Sequence, residues 1–147
     1  MDLKARAESR VIDGVTYRCW PLPFATGRPL LVRAFKAIAP AFGALVGGEA
    51  DAKAAIAALE AVARSLTDED LATFGAQFGN AAEYDDAGTG KAVPLIAANQ
   101  NLHFAGRYDA FLEWLMFSME VNGFARFFNS LRQDAPTPAP PASGSSA

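Results

Sequence analysis

Histidine and cysteine are all but missing from this chain. One of each, His103 and Cys19, stands among 147 residues. A single cysteine excludes an internal disulfide, and one cysteine with one histidine gives no ligand spacing for a transition metal. Basic excess is missing too. Thirteen Lys/Arg against 16 Asp/Glu leave a net charge of -3, whereas a general nucleic-acid binder carries a basic face. No apolar run approaches the ~20 residues of a membrane helix. The charged start MDLKARAESR is followed by no apolar h-region, so no signal peptide is expected. These absences predict cytoplasmic life, with no membrane and no nucleic-acid partner. Ile and Val are sparse beside Ala, which favours helix over strand.

Catalytic constellations are also lacking. AGTGKA suggests a phosphate loop, but Asp85 stands where the first glycine belongs and Ala92 replaces the magnesium-binding hydroxyl. Cys19 lies in TYRCWPLP, among aromatic and apolar residues, and reads as a buried structural thiol. No third group orients a Cys19–His103 pair. Asp109, Glu113 and Glu120 fall at i, i+4 and i+11, and read as the solvated edge of a helix. The expectation is a protein that is not an enzyme and needs no cofactor and no metal.

What is present is apolar mass: 51% hydrophobic against 20% charged residues, enough for one globular domain. RVIDGVTYRC carries Asp13-Gly14 between β-branched residues, the signature of a two-residue hairpin. Strands are expected at about 9–12 and 15–20, ended by Pro21 and Pro23. A helix should open near Thr26 to Pro29, with Leu30, Leu31, Ala34, Phe35 and Ile38 on one stripe and a kink or restart at Pro40. Asp51 to Arg64 is amphipathic, with Ile56, Leu59 and Val62 on one face. Thr67 should cap the next helix, with Asp70 at its third position and Leu71, Phe74 and Phe78 on one side. NAAEYDDAGTGKA, residues 80–92, has no period and reads as an acidic loop. Helix resumes near Val93 or Pro94. DAPTPAPPASGSSA at the end cannot bury a core. The predicted fold is mainly α: a small helical bundle with an N-terminal β-hairpin over 10–132, a flexible or weakly helical start at 1–9, and a disordered Pro-rich tail at 133–147.

The densest stretch is HFAGRYDAFLEWLMFSMEVNGFARFF, His103 to Phe128. On a helix, Phe104, Tyr108, Phe111, Leu112, Leu115 and Met119 form one stripe. Trp114, Phe117 and Val121 form a second, which Phe124 and Phe128 continue past Gly123. A helix apolar nearly all round is either central in its bundle or completed by a partner. Both readings stand at this point. Under the second, Trp114, Phe117, Val121, Phe124, Phe127 and Phe128 are the partner-binding residues, and Met116 and Met119 suit an adaptable surface. Charge is divided along the chain. Residues 1–64 hold 9 Lys/Arg and 6 Asp/Glu, and residues 65–147 hold 4 and 10, a split that would suit head-to-tail self-association.

In order along the chain, IDGVTY, the following "LP", GRPLL, LTDED and the closing HFAGRYDAFLEWLMFSMEVNGFARFF resemble the tail assembly chaperones of long-tailed bacteriophages and prophages. The resemblance covers about residues 10–129. It implies a non-enzymatic chaperone that binds the tape measure protein, keeps it soluble, helps recruit tail tube protein, and is shed before the virion matures. An apolar groove on the aromatic helix would be its client surface. The alternatives are a structural tail or head-completion protein, or a helical adaptor domain unrelated to phages.

Overall fold

In a computed structural model, residues 2–46 and 52–134 are described, with side chains described at 2–37, 57 and 60–131. The expected tail beyond residue 134 lies outside the described residues, as do the side chains of Ile38, Ile56 and Leu59.

Strands β1 (Glu8–Ile12) and β2 (Val15–Cys19) form the expected hairpin. Its turn needs two residues in the left-handed region. Asp13 has φ 50° and Gly14 φ 76°, and Ile12 pairs with Val15 across the turn. The hairpin is not alone. β3 (Ala82–Asp85) pairs antiparallel with β2, and β4 (Ala92–Pro94) with β3, giving a sheet in the order β1-β2-β3-β4. The stretch expected to be a loop at 80–92 is therefore a second hairpin. Its strands are four and three residues long, too short to show a period. Ahead of β1, a 3-10 turn at Leu3–Arg6 is capped by Asp2, and Lys4 reaches Glu83 on β3 at 3.2 Å.

Six α-helices are described: α1 (Phe24–Val46), α2 (Ala52–Ser65), α3 (Asp68–Gly79), α4 (Ala97–His103), α5 (Tyr108–Val121) and α6 (Phe124–Asp134). α1 starts directly after Pro23, whose carbonyl accepts from the amides of Thr26 and Gly27 at 2.9 Å. It begins earlier than Pro29 suggested and runs through Pro40 without ending. Leu30 and Ala34 are buried, and Leu31 and Phe35 pack against the core. α3 begins with the capping box the sequence predicts: Asp70 N donates to Thr67 Oγ1 at 3.1 Å, and Thr67 N to Asp70 Oδ2 at 3.4 Å.

The long aromatic stretch is three helices. α4 stops at His103, and the chain reverses through Phe104-Ala105-Gly106 before α5 begins. Gly106 takes φ 72°, a conformation a Cβ disfavours. α5 is the hub. It packs on β1 and β2 on one side and on α2, α3 and α6 on others. That placement explains a helix with almost no solvated face: two layers share it.

Candidate functional site

The two readings of α5 separate here. Trp114 and Leu115 are wholly buried, Phe117, Val121, Phe124 and Phe128 are buried, and Phe127 alone of the six expected partner residues is exposed, at 39%. In the monomer these side chains are core. Trp114 meets Phe104 and Phe111 with ring centroids 5.7 and 5.9 Å apart. Phe124 bridges Phe78 and Phe128 at 5.9 and 6.5 Å. Phe117 lies under the Arg10 guanidinium, 4.5 Å from its ring centroid, while Arg10 pairs with Glu120 at 2.6 Å. β1 thus covers Phe117 of the second stripe.

The first stripe is divided. Leu115 and Met119 go into the core, but Tyr108 is 79% exposed, and Phe111 and Leu112 are half-buried. With Phe104 they form one wall of a groove of about 710 Å³. Leu71, Ala72 and Ala76 of α3 form the facing wall, and Ala97, Gln100 and Asn101 of α4 line it further. Large rings on one side oppose alanines on the other, which leaves room for a close-approaching helix. Leu102, next in chain to Asn101, is 87% exposed.

Several contacts tie the elements that line the groove to their neighbours. Gln100 Nε2 donates to Gly75 O at 2.8 Å and to Leu95 O at 2.7 Å, tying α4 to α3. Gly79 allows that approach, since a Cβ there would overlap the Leu95 carbonyl oxygen and Gln100 Nε2. His103 ends α4 between two tyrosines. Its Nε2 shares a hydrogen bond with Tyr17 Oη at 2.7 Å, and its ring stacks on Tyr84 with centroids 3.8 Å apart. Arg107, on the next turn, reaches Asp13 at 3.2 Å.

The nucleophile reading of Cys19 and His103 does not assemble. The thiol is buried against Ser118 Oγ at 3.6 Å, and burial pushes it up to about 11. Such a thiol is inert at neutral pH. His103 faces Tyr17 and Tyr84 instead. Asp109, Glu113 and Glu120 belong to no cluster of three metal-ligating side chains among the described residues, and Glu120 is taken by Arg10. Among the described residues no group of three or more His, Cys, Asp or Glu could hold a metal ion, and no described helix is long and apolar enough to cross a membrane.

Sequence reasoning had the groove's ingredients without its location. The sequence pattern sets Leu71 on one side of α3 with Phe74 and Phe78, and Tyr108 and Leu112 on the first aromatic stripe. The signal that separates the stripes is the interruption at Phe104-Ala105-Gly106. It ends α4 before α5 begins, and the two helices then line one groove with α3.

No curated protein and no solved structure matches the chain. A family model described as "Phage tail assembly chaperone protein, TAC" matches residues 13–135. Its span runs from the hairpin turn to the end of α6, so it takes in strands β2 to β4, the hub helix and every wall of the groove. The chain belongs to the phage tail assembly chaperone family.

Proposed function

We propose that the protein is a non-enzymatic chaperone that binds the tape measure protein through the groove between α3, α4 and α5, keeps it soluble, and promotes tail tube assembly in the host cytoplasm. One observation supports this site above the rest. The groove is the place where α5, the hub of the fold, presents large apolar side chains to solvent. Exposed contiguous apolar surface marks an interaction site in a folded protein, and an amphipathic helix laid into an apolar groove is a recurrent mode of recognition. A tape measure protein is long and helical and exposes apolar stretches before the tube forms around it, so it offers such helices in series. The buried apolar residues Trp114, Phe117, Val121, Phe124 and Phe128 then act as the support that fixes the groove, with Phe127 at the solvent edge.

Co-expression with the tape measure protein of the same phage tests this reading. The expected result is a soluble complex recovered on the tagged chaperone, with the tape measure protein insoluble when expressed alone. A tape measure protein that stays soluble by itself and fails to co-purify would sink the proposal. Recovery of this chain from purified virions would instead favour a structural tail component.

A further inference from the structure

The helices that build the groove share a charge pattern that the apolar lining hides. α3, α4 and α5 contain six acids (Asp68, Glu69 and Asp70 on α3; Asp109, Glu113 and Glu120 on α5) and no lysine or arginine. Two of the six are neutralised from outside: Asp70 by Arg33 at 3.3 Å and Glu120 by Arg10 at 2.6 Å. Arg107, between α4 and α5, is turned to Asp13. Asp68, Glu69, Asp109 and Glu113 form no ion pair among the described residues. Asp68 lines the groove itself, and Asp109 and Glu113 each follow a lining residue, Tyr108 and Leu112.

Helix dipoles account for part of this. Asp68 and Asp109 stand in the first turns of α3 and α5, where negative charge is stabilising. Glu113 is in mid-helix and has no such reason. Asp68 in the lining, with Glu69, Asp109 and Glu113 on the same wall helices and without an ion pair among the described residues, gives the groove a negative potential that selects among apolar partners.

We infer that the segment this groove takes is an amphipathic helix whose apolar stripe is bordered by lysine or arginine, and that the acidic rim sets which stretches of a long helical client are held. This rests on the groove being the client surface. α3, at twelve residues, is about 18 Å long, so each protomer covers a few turns of client. An apolar stripe with acidic borders would meet the rim with like charges and be refused.

The probes are two synthetic helical peptides of about 18 residues, long enough to hold helix in isolation. They share one leucine/alanine stripe, bordered by lysines in one and glutamates in the other. Fluorescence anisotropy with the full chain measures both. The lysine peptide is expected to bind about tenfold tighter, the sum of a few exposed ion pairs, with the difference shrinking in high salt. A combined Asp68→Asn, Asp109→Asn, Glu113→Gln variant should level the two, and Ala72→Trp should weaken both. Equal affinity of the two peptides overturns the charge rule and leaves the groove standing as the client surface. Binding indifferent to Ala72→Trp overturns the inference as well, and co-expression with the tape measure protein then decides the groove separately. A concentration-dependent dimer that Ala72→Trp abolishes and neither peptide displaces would make a second copy the occupant and also overturn it.

Discussion

Tyr17 and His103 stand 86 residues apart in sequence and share a hydrogen bond of 2.7 Å between phenol and imidazole Nε2. A second pair runs beside it, Asp13 with Arg107 at 3.2 Å. The two segments IDGVTY and HFAGR are therefore one structural unit: the first hairpin grips the turn from which the groove wall α5 starts. Tyr17→Phe keeps the ring in its stack with Phe104 and removes only the hydroxyl. The expected cost is about 1 kcal/mol, the ordinary net worth of such a bond, read as a lower urea midpoint with unchanged slope.

The same histidine gives stability a pH dependence. Burial, and then the nearby Arg107 charge, hold the His103 pKa below its ordinary 6.5. The unfolded chain therefore takes up a proton first as pH falls. This contribution is complete above pH 6.5 and declines as pH drops through the interval down to the folded-state value. The carboxyls of Glu83 and Asp85 are held below the usual carboxylate range by Arg18, so their contribution begins to fall only as pH enters the ordinary carboxylate range, below the pH at which the histidine's decline begins. Urea midpoints between pH 7.5 and 5 should fall in the wild type and fall less in His103→Gln. Parallel curves for the two proteins would show that the histidine is not the titrating group.

Much of the fold was legible in the sequence because it rests on local rules. Asp13-Gly14 specified the first hairpin by backbone conformation, and Thr67 with Asp70 specified the start of α3 by capping. The second hairpin was not legible. AEYD becomes a strand because β2 offers it an edge and Arg18 reaches Glu83 and Asp85 across it, and AVP then pairs on the far edge of AEYD, a long-range cause that no window contains. The aromatic stretch was read as apolar on nearly every face, which is correct. Which stripe would be covered depended on where β1 and α6 landed. Phe117 is covered by Arg10 of β1, while Tyr108, equally apolar in pattern, has nothing over it.

Trp114 is the sharpest test of that division. It is wholly buried and touches two other rings. Trp114→Ala should destabilise the domain by about 3–5 kcal/mol, the usual cost of deleting a large core aromatic. Thermal unfolding followed by far-UV circular dichroism checks it. A protein of wild-type stability that fails only in client binding would place the indole at the partner surface instead.

Two glycines predict opposite outcomes. A Cβ at Gly79 would overlap the Leu95 carbonyl oxygen. That oxygen accepts from Gln100, so it has little freedom to retreat. Gly79→Ala should cost about 1–3 kcal/mol or more. Gly27 lies inside α1, where a Cβ would sit 3.7 Å from Leu22 Cβ, in ordinary contact. Gly27→Ala should stabilise by about 0.5–1 kcal/mol through helix propensity and a less flexible unfolded chain. Equilibrium denaturation of both variants reads the two signs directly.

A variant that spoils the groove without touching the core separates support from surface. Ala72 is exposed on α3 and lines the groove. Tryptophan there costs the helix at most about 0.7 kcal/mol and places a ring where a client side chain would lie. Binding should fall on the order of tenfold or more, since losing one buried large apolar contact removes about 1.5–3 kcal/mol. Ala25→Trp, exposed on α1 and not among the lining residues, controls for the added ring and should bind as wild type. Pull-down of co-expressed tape measure protein, with melting temperatures measured in parallel, distinguishes the cases. Lost binding at wild-type stability assigns the surface to the groove. Retained binding by Ala72→Trp removes it from the groove and leaves the exposed Phe127 edge as the place to look.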